Sequence, residues 1–135
     1  MPPIRAHLLV VICAISAGVH AVLAPMHFHE GSTLGIAFGV SAAGLAAVAV
    51  ALDRRPESRP AMHAAALLLG GLIAAYVATR VATVPLVGEH REAVDAVGLA
   101  TKLVELLGLL LAIRSINKGV ARRMPAVATE KGVMS

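Results

Sequence analysis

The chain has 135 residues, of which 58% are hydrophobic and 15% charged, with a mean hydropathy of +0.81. The apolar share of soluble domains is roughly 45–50%, so this composition excludes an ordinary soluble domain and points to one integral membrane domain. The net charge of +4 is confined to a few short segments, so it needs no nucleic-acid partner to explain it.

The first predicted helix covers about residues 5–25. The run from Ala6 to Met26 contains no acid and no Lys or Arg, and about 18–20 such residues cross a hydrocarbon core about 30 Å thick. Arg5 and the small residues near Ala21 loosely fit a signal peptide, but the run exceeds the usual h-region of about 7–15 residues, so the expectation is a retained helix. Pro25 and Gly31 bracket the predicted turn that follows. That turn belongs to the stretch "HAVLAPMHFHE", which gathers His20, His27, His29 and Glu30.

The second helix is predicted over about 32–52. Gly31, Gly35, Gly39 and Ala43 recur at every fourth position, a small-xxx-small pattern that admits a close helix neighbour. The connection "DRRPESRP" carries Arg54, Arg55 and Arg59. The third helix is expected over about 61–84, with a second small face at Ala66, Gly70 and Ala74. Its outer half holds Tyr76 and Arg80. The connection after it reads "PLVGEHREAVD" and contains Glu89, His90, Glu92 and Asp95.

The fourth helix, about 94–115, is apolar except for Lys102 and Glu105, which stand three residues apart and can meet on one face. Gly98, Thr101, Lys102, Glu105, Gly108 and Ala112 form one stripe of small and polar residues. Residues 118–135 read as a basic, disordered cytoplasmic tail after a membrane domain of residues 1–117.

Lys and Arg set the expected orientation. Arg5, the 53–60 connection and the tail hold most of the cations, whereas the other two connections hold only Arg91. The positive-inside rule then places both termini in the cytoplasm, in an all-α, up-down-up-down four-helix transmembrane bundle of the cell membrane. That topology brings four of six histidines and four of eight acids to the extracytoplasmic mouth.

Imidazole and carboxylate together suit a transition metal, so His20, His27, His29, Glu30, Glu89 and His90 form the candidate ligand set, with Cu or Zn as the ion. An extended "HFH" would point both rings the same way; on a helix they would diverge by roughly 200°. Haem is a weaker fit, through His7 and His63 or through His20 and a partner, because no two helices carry His at matching mid-membrane depth. The lone Cys13 cannot form an intrachain disulfide. Arg80, Lys102 and Glu105 form a second cluster inside the membrane. Such groups usually face the bundle and pair, as a relay or ligand anchor or as a fixed structural network.

Several motifs carry a resemblance. The turn "HAVLAPMHFHE", the segment "RVATVPLVGE" and the run "VGLATKLVELL" resemble a family of small four-helix integral membrane proteins from high-GC bacteria. Its members have a His…Pro-x-His-Phe-x-Glu turn, an Arg…Pro…Gly-x-Glu segment and a Glu within the fourth helix. The resemblance spans roughly residues 15–112. It implies the topology and the importance of His20, His27, Glu30, Arg80, Glu89 and Glu105, and it implies no reaction.

Two function classes follow. One is a binding or sensing protein with a His/carboxylate, transition-metal site at its outer mouth. The other is an accessory or assembly subunit that packs against a larger membrane complex, or against its own copies, through Gly31, Gly35, Gly39 and Gly70. A small proton- or ion-coupled carrier ranks lower, since four helices without an internal repeat make a narrow path. No nucleophile–base pair or phosphate-cradling loop argues for an enzyme.

Overall fold

A computed structural model describes residues 3–30, 32–81 and 96–121. Four helices occupy them: α1 Pro3–Glu30, α2 Ser32–Arg54, α3 Arg59–Val81 and α4 Ala96–Ala121. No strand is present among the described residues. All four helices are long and apolar enough to cross a membrane, their most apolar windows averaging 2.3, 2.1, 1.8 and 2.0 in hydropathy. The fold is therefore that of a multi-pass integral membrane protein. Its outer surface agrees, since large apolar side chains such as Ile36, Val40, Leu67 (77% exposed) and Leu103 face outward.

The largest departure from the sequence expectation is at the end of α1. Pro25 lies inside the helix, which continues to Glu30. Proline removes one backbone donor and crowds the preceding turn. In a membrane helix this is tolerated, because neighbouring elements re-satisfy the freed groups and irregular backbone exposed to lipid is costlier still. At 1.5 Å per residue the 28-residue α1 is about 42 Å long, so it outreaches a hydrocarbon core of about 30 Å. The "HFH" segment is thus helical, and the expected extended loop is wrong.

The connection from α2 to α3 is a short turn. The Arg55 N–H donates to the Ala51 carbonyl at 3.0 Å, and the Ser58 N–H to the Arg55 carbonyl at 2.9 Å. The Ser58 hydroxyl accepts from the Ala61 N–H at 3.4 Å and so caps α3. Pro60 falls in the first turn, where a missing N–H costs nothing.

Residue register shows how the helices cross. Against α4, Ile12 of α1 meets Gly108, and Ser16 meets Glu105. Against the same helix, Leu69 and Gly70 of α3 meet Gly108 and Leu109, and Tyr76 lies by Lys102. Leu9, Cys13 and Ala17 of α1 join Leu45, Val48 and Leu52 of α2, Ala61, Met62, Ala65 and Leu69 of α3, and Ala112 of α4 in a dry core. Lipid tails are as apolar as these side chains, so close packing, not expulsion of water, holds them together.

Glycine decides two close approaches. A Cβ on Gly108 would sit 2.6 Å from Ile12 Cγ2 and 2.9 Å from Leu69 Cδ1. A Cβ on Gly35 would overlap the Phe28 ring of α1. Of the expected packing glycines, Gly35 thus serves the α1–α2 contact, Gly39 has nothing within 4 Å, and Gly70 has only ordinary contact with Leu109. Gly31 lies outside the described residues.

Candidate functional site

The predicted stripe on α4 is the buried face of that helix. Ala112 and Glu105 have no exposure, and Lys102, Thr101 and Gly98 are partly buried above them. Glu105 is held from two sides. Ser16 Oγ donates to Glu105 Oε1 at 2.6 Å, across 89 residues of sequence. Lys102 Nζ donates to Glu105 Oε2 at 2.5 Å. Charge-assisted bonds of this kind are the strong ones, and inside a bilayer they offset the cost of burying the charges.

His20 stands one helical turn beyond Ser16 and is 4% exposed. Its Nδ1 lies 2.8 Å from the Ser16 carbonyl and 3.9 Å from Glu105 Oε1. A carbonyl only accepts, so Nδ1 carries the hydrogen and Nε2 is the second ring nitrogen. Tyr76 faces the same cluster from α3. The Arg80 guanidinium lies 4.1 Å from its ring centroid, and Lys102 Nζ lies 5.6 Å from it. Both distances are within cation–π reach. The Tyr76 hydroxyl is buried and makes no hydrogen bond among the described residues.

These groups border a cleft of about 520 Å³ between all four helices. Small-molecule sites typically span about 300–1,000 Å³. The walls are mainly apolar, with Val19, Leu23 and Met26 from α1, Leu34 and Phe38 from α2, and Leu72 from α3. The polar lining includes His20, Ser41, Tyr76, Arg80 and Lys102. Glu105 stands behind Lys102 and does not line the cleft.

The expected outer histidine set is divided by the helix. His20 and His27, seven residues apart, share one face. The His27 ring stacks on Phe38 at 4.3 Å, and the His20 ring lies 5.3 Å from the same phenyl group. His29 is exposed, as two residues of helix turn it roughly 200° from His27. Glu89 and His90 lie outside the described residues, as does the Glu30 side chain. Among the described residues no group of three His, Cys, Asp or Glu side chains could hold a metal ion. The metal expectation therefore gains no support. His7 and His63, the weaker haem pair, are both on exposed surfaces.

Sequence reasoning found Arg80, Lys102 and Glu105 and paired the last two correctly. It missed Ser16, a hydroxyl in an apolar helix, and gave Tyr76 no role. A serine one turn before His20 was a faint signal for the first. The single tyrosine of the chain, placed one turn from Arg80, was a stronger one for the second. The chain matches no family model, no curated protein and no solved structure.

Proposed function

We propose that this is a multi-pass protein of the cell membrane that binds a small ligand in the cleft between its four helices. In this reading the helices run up-down-up-down with both termini cytoplasmic, and the cleft opens in the extracytoplasmic half. The chain joins the four-helix family that its motifs resemble. The observation that carries the reading is the cleft itself: apolar walls contributed by four helices, with His20, Tyr76 and Lys102 converging on one space. Apolar pockets with a few convergent polar groups are the usual form of a ligand site.

The Ser16–Glu105–Lys102 chain holds the floor of the cleft in place. The arrangement suits binding, sensing or carriage of a molecule with an apolar body and a polar end. The transition-metal reading retains two imidazoles, His20 and His27, and the accessory-subunit reading loses Gly35 to an internal contact. Neither is favoured over the cleft.

The test is solvent extraction and mass spectrometry of protein purified in mild detergent, beside an Ala75→Leu/Ala37→Leu variant that fills the cleft from two walls. The expected result is a small molecule retained by the wild type and depleted in the variant. Equal content in both would overturn the reading. Orientation is tested separately, by labelling a Glu57→Cys variant in a Cys13→Ser background, with modification expected only from the cytoplasmic side.

A further inference from the structure

We propose that the ligand of this cleft is an anionic amphiphile: a single apolar chain ending in a carboxylate or a phosphate. The proposal rests on the cleft being a ligand site and names the chemistry of what fills it.

Charge on the cleft surface has one sign among the described residues. Lys102 and Arg80 both line it, and Glu105, the carboxylate paired with Lys102, does not. Glu105 is fully buried, with Oε1 taken by Ser16 and Oε2 by Lys102. It neutralises Lys102 from behind while leaving two of the three ammonium hydrogens for other acceptors. Tyr76 adds a second donor, since its buried hydroxyl has no acceptor among the described residues. A buried donor without an acceptor is costly, and a ligand oxygen would remove that cost.

The two threonine hydroxyls of the lining are turned to the backbone of their own helices. The Thr101 hydroxyl donates to the Val97 carbonyl at 2.8 Å, and the Thr79 hydroxyl to the Tyr76 carbonyl at 3.0 Å. Thr79 Oγ also accepts from Arg80 Nη1 at 2.8 Å, which fixes the guanidinium over the Tyr76 ring. His20 Nε2 accepts when neutral and donates when protonated. An anionic head at Tyr76 and Lys102 would leave its chain against Leu23, Leu72 and Phe38. A cationic head would meet the Lys102 ammonium instead, and a ligand without a chain would leave the apolar walls unfilled.

Tyr76 supplies its own reporter, because the chain has one tyrosine and no tryptophan. Full-length protein in a nonionic maltoside detergent is titrated with dodecanoate, dodecyl phosphate, dodecanol and dodecylamine while tyrosine emission is followed. Saturable change with dodecanoate or dodecyl phosphate, and none with the alcohol or amine, is the expected result. The tighter of the two anions identifies the source as a fatty acid or a lipid phosphate. Labelled dodecanoate then tests Tyr76→Phe, which keeps the ring and the packing. Loss of one hydrogen bond to a charged group predicts about tenfold weaker binding or more.

Stronger binding of the alcohol or amine than of either anion would overturn the proposal and leave the cleft as a site for another ligand class. Unchanged dodecanoate binding by Tyr76→Phe together with a Lys102→Met/Glu105→Gln variant would also overturn it. Failure of all four amphiphiles, with equal extracts from the wild type and the filled variant, would remove the cleft reading as well.

Discussion

The two halves of the bundle are built from the same four helices by different rules. In the half that holds the chain's start and the α2–α3 turn, Leu9, Leu45, Leu52, Leu69 and Ala65 close into a core with no exposure at any of them. In the half beyond Glu105 the helices part around a cleft, and the inward positions go to His20, Tyr76 and Lys102. Gly108 lies near the boundary, where α1 and α3 both press on α4. Small residues give close packing wherever an apolar partner is available to fill the space. Where the inward residues are polar, they need partners of their own, and those partners hold the helices at the separation the polar contacts require.

The largest expected effect comes from cutting the polar half at its centre. Glu105→Ala leaves Lys102 without its carboxylate in a low-dielectric site and should cost about 3–5 kcal/mol. Unfolding in mixed micelles with rising dodecyl sulfate would measure it. Adding Lys102→Met should recover more than half of that loss. Equal stability of the single and double variants would mean the pair is uncoupled and the contrast between the halves is overstated.

The boundary comes next. Gly108→Leu drives a side chain into Ile12 and Leu69, and overpacking of this kind costs typically about 1–3 kcal/mol. Gly39→Ala and Gly71→Ala, where nothing lies within 4 Å, should be neutral or gain up to about 1 kcal/mol from helix propensity. The same unfolding assay separates them. If all three behaved alike, the crossing would not be as tight as its geometry indicates.

Ser16→Ala removes one hydrogen bond to a charged oxygen and should cost about 1.5–3 kcal/mol. A double-mutant cycle with Glu105→Gln would show coupling if the two act together. The smallest effects belong to the outer histidines. His27→Ala loses its stacking on Phe38, about 0.5–1.5 kcal/mol, and His29→Ala, on the exposed face, should stay within about 0.5 kcal/mol. A reversed order would restore His29 to the site from which the helix removes it.

How much of this was legible in the sequence depended on distance along the chain. Lys102 and Glu105 are three residues apart, so helical spacing alone joined them. Ser16 and Glu105 are 89 residues apart, and no local pattern connects a hydroxyl on one apolar helix to a carboxylate on another. The "HFH" segment misled for a different reason. Pro25 reads as a helix end by rules formed in water, where a freed backbone group is readily solvated. A lipid environment penalises such an end and favours continuing the helix, and that single difference rotates His29 out of the predicted site.

The sequence by itself determined that there are four helices, each long enough to cross a membrane, because hydropathy and span are local sums over neighbouring residues. It also determined that Arg80, Lys102 and Glu105 must be reckoned with, because charge is rare in such surroundings. Only the tertiary structure decided which glycines are pressed by a neighbour, which oxygen of Glu105 each partner takes, and that Arg80 and Lys102 both come within cation–π reach of Tyr76. The cleft was decided there as well. Its walls come from four helices at once, and enclosed space is a property of how helices are placed against one another, which no stretch of residues encodes alone.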